Sequence, residues 1–305
     1  MKTFLITVDT EGDDLWHWKP SKEITTENTN YIPRFQELCE KYGFKPVYLT
    51  NYEMAMDDRW VKYSAQKARE GKCEIGMHLH AWNTPPEYEL ENRFGGNPYI
   101  TEYPPKIIDA KVQTMSQLLQ DRYEMPIVSH RSGRWATNAA YFDALARHGI
   151  RVDCSVTPEL DLSSISGYSK NCGNDYRKAP KGVCRIHPDI LEVPMTTRRL
   201  RHCRSGALKH RVKTLLKGEE VWLRPICQAV IPLKELTEKV VREGEGEYLE
   251  FMVHSSELMP GGSIFFKDAD AVEKLYKVMD EYFAYVTSLG YSGKMLQEYA
   301  VEQEM

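Results

Sequence analysis

Residues 74–82 read EIGMHLHAW, an apolar run that ends in two histidines separated by one residue. In a β-strand, alternate side chains leave the same face, so a strand over 74–80 would point His78 and His80 in one direction. Neutral imidazole is a common ligand of zinc and related metals. The run therefore predicts a buried strand with part of a metal site at its end. The alternative is a pair of ordinary strand-end histidines that make hydrogen bonds.

A third protein ligand is expected from the acidic cluster that follows the first apolar run of the chain. Residues 4–14 read FLITVDTEGDD, in which the apolar half predicts a buried strand and the acidic half follows it directly. Asp9 and Glu11 are closest to the strand end. Asp13 and Asp14 remain open as alternative ligands.

Strand-like and helix-like segments alternate along most of the chain. The predicted strands cover residues 4–8, 45–49, 74–80, 127–129, 150–154, 190–193 and 248–253, and the predicted helices cover 28–42, 60–69, 107–123, 139–148 and 269–289. This order implies parallel strands joined by right-handed crossovers. We therefore expect an α/β fold in a single domain, residues 1–305, built as a barrel of parallel strands, with a basic insertion or subdomain around 196–247.

Ionisable residues gather at the ends of the predicted strands. At or just past five strand ends the sequence places Asp9 and Glu11, His78 and His80, Arg131, Asp153, and His254. In barrels of parallel strands, chemistry takes place at the carboxyl ends of the strands. This agreement predicts one shared site. The irregular residues 83–105, which follow the two histidines, are a candidate lid or binding wall.

Composition is typical of a globular protein, with 305 residues, 42% hydrophobic and 28% charged. The seven cysteines are scattered and include no Cys-x-x-Cys pair. This pattern argues against a disulfide framework or a thiolate zinc site and favours a reducing compartment. The first apolar run is too short for a signal peptide, and no run of about 18 apolar residues could span a membrane. We expect a cytoplasmic protein.

A basic run extends from Arg198 to Arg224, with nine lysines and arginines against Glu219 and Glu220. A solvated basic face is the common outcome of such a run. The functional interpretation is a docking surface for an anionic partner, either a nucleotide-linked or lipid-linked glycan precursor or the inner face of a membrane. Nucleic acid is not expected, because the patch is local and no binding motif accompanies it.

Several short blocks, in the right order over about residues 4–289, resemble the polysaccharide deacetylases (carbohydrate esterase family 4). VDTEG at 8–12 is similar to the first family motif, EIGMH at 74–78 to the second, HRSGRW at 130–135 to the third, and FMVH at 251–254 to the late strand of the family. The resemblance implies a distorted (β/α) barrel, usually of seven strands, and a divalent metal that is often zinc. It also implies removal of an N-acetyl group from an amino-sugar glycan.

The resemblance also implies a role for each matching residue. Asp9 would be the catalytic base, Arg131 would hold it, and His254 would protonate the departing amine. The implied metal ligands, for zinc above all, are Glu11, His78 and His80. As an acid, His254 would need to stay charged, which a nearby carboxylate would favour.

The candidate substrate-binding residues are Trp82, Arg134 and Trp135. The two tryptophans could stack on sugar faces, with packing in the core as the alternative. Arg134 also competes with Arg131 for the role of holding Asp9.

Two departures from the family pattern affect the site. The family has His-x-x-x-His, but Trp82 stands four residues after His78, so His80 would have to be the second imidazole ligand. The two acids Asp9 and Glu11 are one residue apart, whereas they are usually adjacent. The run WNTPP at 82–86 resembles a subset of relatives linked to surface-glycan or O-antigen synthesis.

These departures leave three functional hypotheses. The first is a metal-dependent N-deacetylase that acts on a surface-glycan precursor. The second is a barrel that has lost catalysis and binds a glycan or a partner enzyme, which the tryptophan at position 82 keeps open. The third is a hydrolase of another C–N bond, such as a formamide or a cyclic amide.

Overall fold

The computed structural model describes residues 2–19, 22–200 and 218–304. Its strands are β1 (Lys2–Thr10), β2 (Pro46–Thr50), β3 (Glu74–Leu79), β4 (Ser129–Ser132), β5 (Val152–Asp153), β6 (Cys184–His187), β7 (Ile190–Glu192), β8 (Thr197–Leu200), β9 (Glu219–Trp222), β10 (Tyr248–His254) and β11 (Tyr291–Gly293). Its α-helices are α1 (Ile32–Lys41), α2 (Tyr52–Met56), α3 (Asp58–Arg69), α4 (Pro105–Tyr123), α5 (Ala139–Arg147), α6 (Ile231–Arg242), α7 (Ala269–Ser288) and α8 (Leu296–Glu304).

The main sheet is mostly parallel and curls into a half-barrel. Seven strands are hydrogen-bonded side by side in the order β10-β1-β2-β3-β4-β5-β7, and every neighbouring pair in this order is parallel. Strand β6 adds an antiparallel edge to β7, and β11 pairs with the first residues of β1. This arrangement confirms the predicted α/β fold, a distorted barrel of parallel strands.

A seam lies between β7 and β10, which stand near the two ends of the strand order. Irregular chain bridges this seam. The backbone N–H of Glu250 donates to the hydroxyl of Thr196 at 2.9 Å, and the backbone N–H of Met252 donates to the carbonyl of Leu223 at 3.0 Å. The bridge brings the β8–β9 hairpin against β10, the strand that ends in His254.

Strand β1 shows how the sequence gives the sheet two buried faces. Phe4, Ile6 and Val8 point outward into the large apolar cluster beneath the helices, while Leu5 belongs to the cluster inside the half-barrel. Because side chains alternate along a strand, Asp9 lies on the inner face with Leu5. The inside of the half-barrel is therefore apolar at the amino end of β1 and charged at its carboxyl end.

Most predicted elements are present, with shifted boundaries. The fourth strand, expected at 127–129, is instead Ser129–Ser132, so Arg131 lies within a strand. The fifth strand, expected at 150–154, contains only Val152 and Asp153. The sequence interpretation missed the helices α2, α6 and α8, the hairpin of β8 and β9, and the strands β6 and β11, since it assigned no element to those residues.

The single-domain prediction with a basic insertion around 196–247 remains a prediction. Residues 201–217 of this insertion lie outside the described part of the chain. Of the helices that the structure describes, none combines the length and the apolar character needed to cross a membrane.

Helix α8 covers the end of the half-barrel that is opposite the carboxyl ends of the strands. Its residues Leu296, Tyr299 and Ala300 belong to the inner apolar cluster. The buried carboxylate of Glu74, at the start of β3, accepts the backbone N–H of Gln297 in the first turn of this helix at 3.0 Å. Burial raises the pKa of Glu74 to about 7.

The raised pKa of Glu74 predicts a pH-dependent effect of Glu74→Gln. In the unfolded chain this carboxyl ionises near its ordinary pKa of 4.5, whereas in the folded protein it keeps its proton up to about pH 7. Its contribution to stability is therefore lost as the pH rises through that window, at about 1.4 kcal/mol per pH unit. In urea unfolding, the free energy of unfolding of Glu74→Gln should rise relative to that of the wild type between pH 5 and pH 8, by up to roughly 3 kcal/mol.

The matched control is Glu238→Gln, because Glu238 has an exposed side chain on α6. This substitution should leave the pH dependence of unfolding unchanged. A difference between Glu74→Gln and the wild type that stays constant from pH 5 to pH 8 would contradict the buried, protonated Glu74.

Candidate metal centre and catalytic cleft

A cleft of about 450 Å³ opens at the carboxyl ends of the central strands. Strand pairing places its charged residues side by side, because Asp9 is in register with His254 and His78 is in register with Arg131. The ionisable side chains that line the cleft are Asp9, Glu11, His78, His80, Arg134, Arg224, His254 and the phenol of Tyr99. Five of the predicted strand-end residues therefore meet at one place, whereas Arg131 and Asp153 do not line the cleft.

Glu11, His78 and His80 form a compact buried group whose ligand atoms lie within 4.8 Å of one another. The Nε2 atoms of His80 and His78 lie 2.9 Å and 3.5 Å from the same oxygen of Glu11, Oε2. Both imidazoles therefore point to one carboxylate oxygen, as expected for alternate residues of a strand. The structure brings together the three residues that the sequence offered as metal ligands.

The protonation states of this group suit a divalent cation. The Nδ1 atom of His78 donates to the backbone carbonyl of Arg131 at 3.0 Å, which leaves the lone pair of Nε2 facing Glu11. Burial lowers the pKa of His80 to about 4, so this imidazole is neutral, as a ligand must be. Burial alone would raise the pKa of Glu11, but His254 and the two facing imidazoles lower it below its ordinary value.

One carboxylate and two imidazoles are a donor set of catalytic zinc sites, which keep a position open for water or substrate. The same donors also suit cobalt, nickel or iron. The residues present therefore fit a divalent metal. Burial would lower the pKa of His78, but Asp9 and Glu11 outweigh it and raise that pKa, so protons compete with a cation for Nε2 at acid pH.

The alternative ligands Asp13 and Asp14 have other partners. The carboxylate of Asp13 accepts the hydroxyl of Thr25 at 2.8 Å, and the carboxylate of Asp14 pairs with His17 at 2.7 Å. Among the described residues, the candidate metal group contains Glu11 and neither of these aspartates. The geometry favours Glu11 as the acidic ligand.

Arg131 is fully buried and holds Asp9. Its Nη1 donates to Oδ1 of Asp9 at 2.7 Å, its Nη2 contacts Glu250 and donates to the hydroxyl of Thr7 at 2.8 Å, and its Nε donates to the carbonyl of Cys154 at 3.0 Å. Burial would raise the pKa of Asp9, but the guanidinium of Arg131, together with His78 and His254, outweighs burial and lowers it. Asp9 is therefore ionised and fixed in direction.

Glu250 is a member of this network that the sequence interpretation missed. It is fully buried in the middle of β10, and burial raises its pKa to about 7. A signal was present in the sequence, because an acid inside the apolar run YLEFMV (248–253) is rarely buried without a charged partner.

Arg134 does not hold Asp9, which answers the question that the sequence left open. Its guanidinium donates to the backbone carbonyls of Asn97 and Ser166 and lies 3.8 Å from the ring centre of Tyr99. Arg134 and its neighbour Trp135 both have positive φ, 58° and 61°. Such values are uncommon for residues with a side chain and concentrate at functional sites.

His254 stands at the end of β10 with Nε2 turned toward the acids. This atom lies 3.8 Å from Oδ2 of Asp9 and 3.8 Å from Oε1 of Glu11. Its other ring nitrogen, Nδ1, lies 2.9 Å from Nη2 of Arg224. The sequence interpretation gave Arg224 no part in the site.

Aromatic side chains form much of the cleft wall. The ring of Trp82 packs 4.2 Å from that of His80, and its buried indole N–H has no partner in the described structure. Trp135 packs against Trp222 of β9 at 5.1 Å. All three tryptophans line the cleft, so binding of sugar faces by Trp82 and Trp135 remains a prediction that the geometry permits.

Asp153 is buried at the end of β5 and does not line the cleft, so it lies apart from the shared site predicted for the strand-end residues. Its Oδ1 lies 2.6 Å from Nδ1 of His130 and accepts the hydroxyl of Ser155 at 2.9 Å. Nε2 of His130 lies 2.7 Å from the hydroxyl of Tyr141. This cluster supports the sheet beside the cleft.

The described arginines of the basic run are paired within the protein. Arg198 is buried and pairs with Glu243 at 2.8 Å and with Glu245. Arg199 pairs with Glu220 at 2.9 Å. Arg224 also pairs with a buried carboxylate, and the other basic residues of the run lie within 201–217, outside the described part.

The network of Arg131 predicts a large loss of stability for Arg131→Met. The substitution leaves the carboxylates of Asp9 and Glu250 buried without their counter-charge, which should cost about 3–5 kcal/mol. Urea unfolding at pH 7.5 measures the loss. The double variant Arg131→Met, Glu250→Gln should recover part of it, because only one uncompensated carboxylate remains.

The control for this series is Arg34→Met. Arg34 pairs with Glu273 at 2.5 Å, but both side chains are about half exposed, so the loss should be small. If Arg131→Met costs no more than Arg34→Met, the buried network is not what holds the ends of β1, β4 and β10 together.

Comparison with known proteins shows likeness at the level of structure. No protein-family model matches the chain, and no curated protein sequence matches it. A candidate polysaccharide deacetylase from Mycobacterium smegmatis has a TM-score of 0.55 and 14% identity, over 99% of this chain and 90% of that chain.

Two other solved structures have similar TM-scores and sequence identities to this chain. A 4-alpha-glucanotransferase from Thermococcus litoralis has a TM-score of 0.54 and 12% identity, over 98% of this chain and 40% of that chain. A GH57 branching enzyme from Thermococcus kodakaraensis has a TM-score of 0.53 and 12% identity, over 99% of this chain and 71% of that chain. At such identities the likeness concerns the fold. The chain has the barrel-like fold of the polysaccharide deacetylase, which confirms at that level the resemblance carried by the motifs.

Proposed function

We propose that the protein is a metal-dependent N-deacetylase that removes the acetyl group from an amino sugar of a surface-glycan or O-antigen precursor. One observation carries the proposal. The buried group of Glu11, His78 and His80 opens on the same cleft as Asp9, which Arg131 holds, and His254. This is the set of groups that metal-assisted hydrolysis of an amide requires.

The residues of the cleft favour amide hydrolysis over other carbohydrate chemistry. The fold is shared with a glucanotransferase and a branching enzyme, so the fold alone does not choose between reactions. Two imidazoles that converge on one carboxylate oxygen are typical of metal ligands. Cleavage of a glycosidic bond uses a pair of carboxyl groups, one of them a protonated acid with a raised pKa, and no metal. The cleft has the carboxyl groups of Asp9 and Glu11, but the pKa of each is lowered, so neither suits the part of that acid.

Each residue has a separate part in the proposed reaction. When bound by Glu11, His78 and His80, a divalent cation would lower the pKa of a water molecule from 15.7 to about 7 and polarise the amide carbonyl. Asp9, kept ionised by Arg131, takes a proton from the attacking water. His254 faces the departing amine and donates a hydrogen bond from Nε2 to its nitrogen, while Asp9 passes to that nitrogen the proton it took from water as the C–N bond breaks.

The cleft wall supports a glycan as substrate. The tryptophans at 82, 135 and 222 offer apolar faces on which sugar rings can stack. A lipid-linked or nucleotide-linked precursor, a cytoplasmic place of action and contact with the inner membrane surface belong to the same proposal. Their support is the basic run from Arg198 to Arg224, and the described arginines of that run are already paired with acids. The other six basic residues of the run, at 201–217, lie outside the described part of the chain.

A second candidate function is a barrel that binds glycans without hydrolysing them. The close packing of Trp82 on His80, 4.2 Å between ring centres, is the observation that favours it, because the indole narrows access to this ligand. The metal content of the purified protein separates the two functions. A binder that has lost catalysis has no need of stoichiometric metal.

The assigned roles predict different losses for Asp9→Asn and His78→Ala. Asp9→Asn should keep the metal and lose at least about 100-fold in kcat, because the base can no longer accept a proton. His78→Ala should lose both metal and activity, because a ligand is removed. Acetate release from N-acetylglucosamine oligomers and from UDP-N-acetylglucosamine measures activity, and elemental analysis measures bound metal.

The matched control is His17→Ala. His17 is two-thirds exposed and pairs only with Asp14 in the described structure, so both metal and activity should be retained. Full activity in Asp9→Asn or in His78→Ala would refute the assigned roles. Preference for N-formyl over N-acetyl sugars would instead point to hydrolysis of another C–N bond.

A further inference from the structure

Arg224 contacts His254, although it lies outside the four sequence motifs that supply the other residues of the site. It follows β9, and the backbone beside it is fixed on both sides. The N–H of Leu223 donates to the carbonyl of Thr196 at 3.0 Å, and the carbonyl of Leu223 accepts the N–H of Met252, also at 3.0 Å. Met252 and His254 belong to the same strand, so Arg224 is held in place relative to His254.

The contact between the two side chains defines which nitrogen of His254 carries the hydrogen. Nη2 of Arg224 lies 2.9 Å from Nδ1 of His254. A guanidinium has donors and no acceptor, so Nδ1 must accept this hydrogen bond and the hydrogen of the ring must be on Nε2. Nε2 then points its N–H toward Asp9 and Glu11, whose carboxylate oxygens each lie 3.8 Å away.

A buried carboxylate fixes this arrangement from the other side. Oε1 of Glu257 accepts Nη2 of Arg224 at 2.8 Å, while Oε2 of Glu257 accepts the backbone N–H of His254 at 2.9 Å. Glu257 has no exposure to solvent. The rings of Trp16 and His254 pack in a T-shaped arrangement, 5.1 Å between ring centres. Backbone, side chain and ring plane of His254 are therefore all restrained.

We propose that Arg224 is a positioning residue that turns Nε2–H of His254 into the cleft. The proposal rests on the proposed function for the reaction that this N–H serves. Because a neutral imidazole with hydrogen on Nε2 has no lone pair on that atom, His254 faces the substrate as a donor and does not become a fourth metal ligand. A neutral histidine that acts as a donor is an established catalytic arrangement.

The proposal makes the β8–β9 hairpin part of the active site. Arg224 and Trp222 both come from this hairpin or directly after it, and both line the cleft.

The first test reads the imidazole directly and needs no substrate. Long-range ¹H–¹⁵N NMR on the zinc-loaded protein at pH 7.5, with the His254 signals assigned by His254→Gln, distinguishes a protonated ring nitrogen from an unprotonated one. The expected wild-type pattern is protonated Nε2 and unprotonated Nδ1. Arg224→Met should abolish this single pattern. A wild-type His254 with hydrogen on Nδ1 would overturn the proposal.

The second test separates positioning from substrate binding. With the N-acetylglucosamine tetramer as probe, Arg224→Met should lower kcat about 10- to 100-fold and change KM less than about twofold. Arg224→Lys keeps a positive charge beside Glu257 but lacks the planar guanidinium that contacts both Glu257 and His254. Compared with Arg224→Met, it should therefore regain more of the stability than of kcat. A rise in KM with unchanged kcat would make Arg224 a substrate-binding residue and overturn the proposal.

Two further variants control for misfolding. Arg224→Met leaves Glu257 buried and unpaired, so the double variant Arg224→Met, Glu257→Gln removes both charges and should restore the melting temperature while kcat stays low. Arg34→Met, at an arginine paired on the surface with Glu273, should change neither the NMR pattern nor kcat. Absence of acetate release by the wild type would refute the proposed function alone, because the NMR pattern does not depend on it.

Discussion

The buried guanidinium of Arg131 is the constraint on which the site depends. Its side chain is enclosed between the carboxylates of Asp9 and Glu250, and its backbone carbonyl accepts Nδ1 of His78. One residue of β4 therefore directs both the proposed base on β1 and a proposed metal ligand on β3. Because a buried charge without a partner costs several kcal/mol, these groups keep their geometry together or lose it together.

Much of the fold and the centre of the site could be predicted from the sequence. Continuous apolar runs identify β1 and β3, and the alternation of a strand places His78 and His80 on one face. Glu250 carried a signal as an acid inside an apolar run, but the sequence does not identify its partner Arg131, which is distant along the chain. Arg224 carried no such signal, because it meets His254 only across the seam. The length of β5 was predicted wrongly, as five residues instead of two, because a strand of two residues is too short to show alternation of apolar and polar side chains.

The departure from His-x-x-x-His is small in chemical terms. Side chains of residues i and i+2 leave the same side of a strand. The imidazoles of His78 and His80 accordingly both approach Oε2 of Glu11. Trp82 lies beside His80, the proposed second imidazole ligand. Two imidazoles and one carboxylate therefore remain available as the proposed donor set, and an apolar ring is added to the cleft wall.

The seam between β7 and β10 has a consequence for how such a protein can change over time. Closed barrels tie every strand to two neighbours, whereas here irregular chain and the hairpin complete the wall. Lengthening a loop twofold adds only about 0.6 kcal/mol to its closure entropy. Insertions can therefore accumulate between these two strands without breaking a ladder of the main sheet. We therefore expect related proteins to differ in length mainly between β7 and β10, and a designed loop can be inserted there.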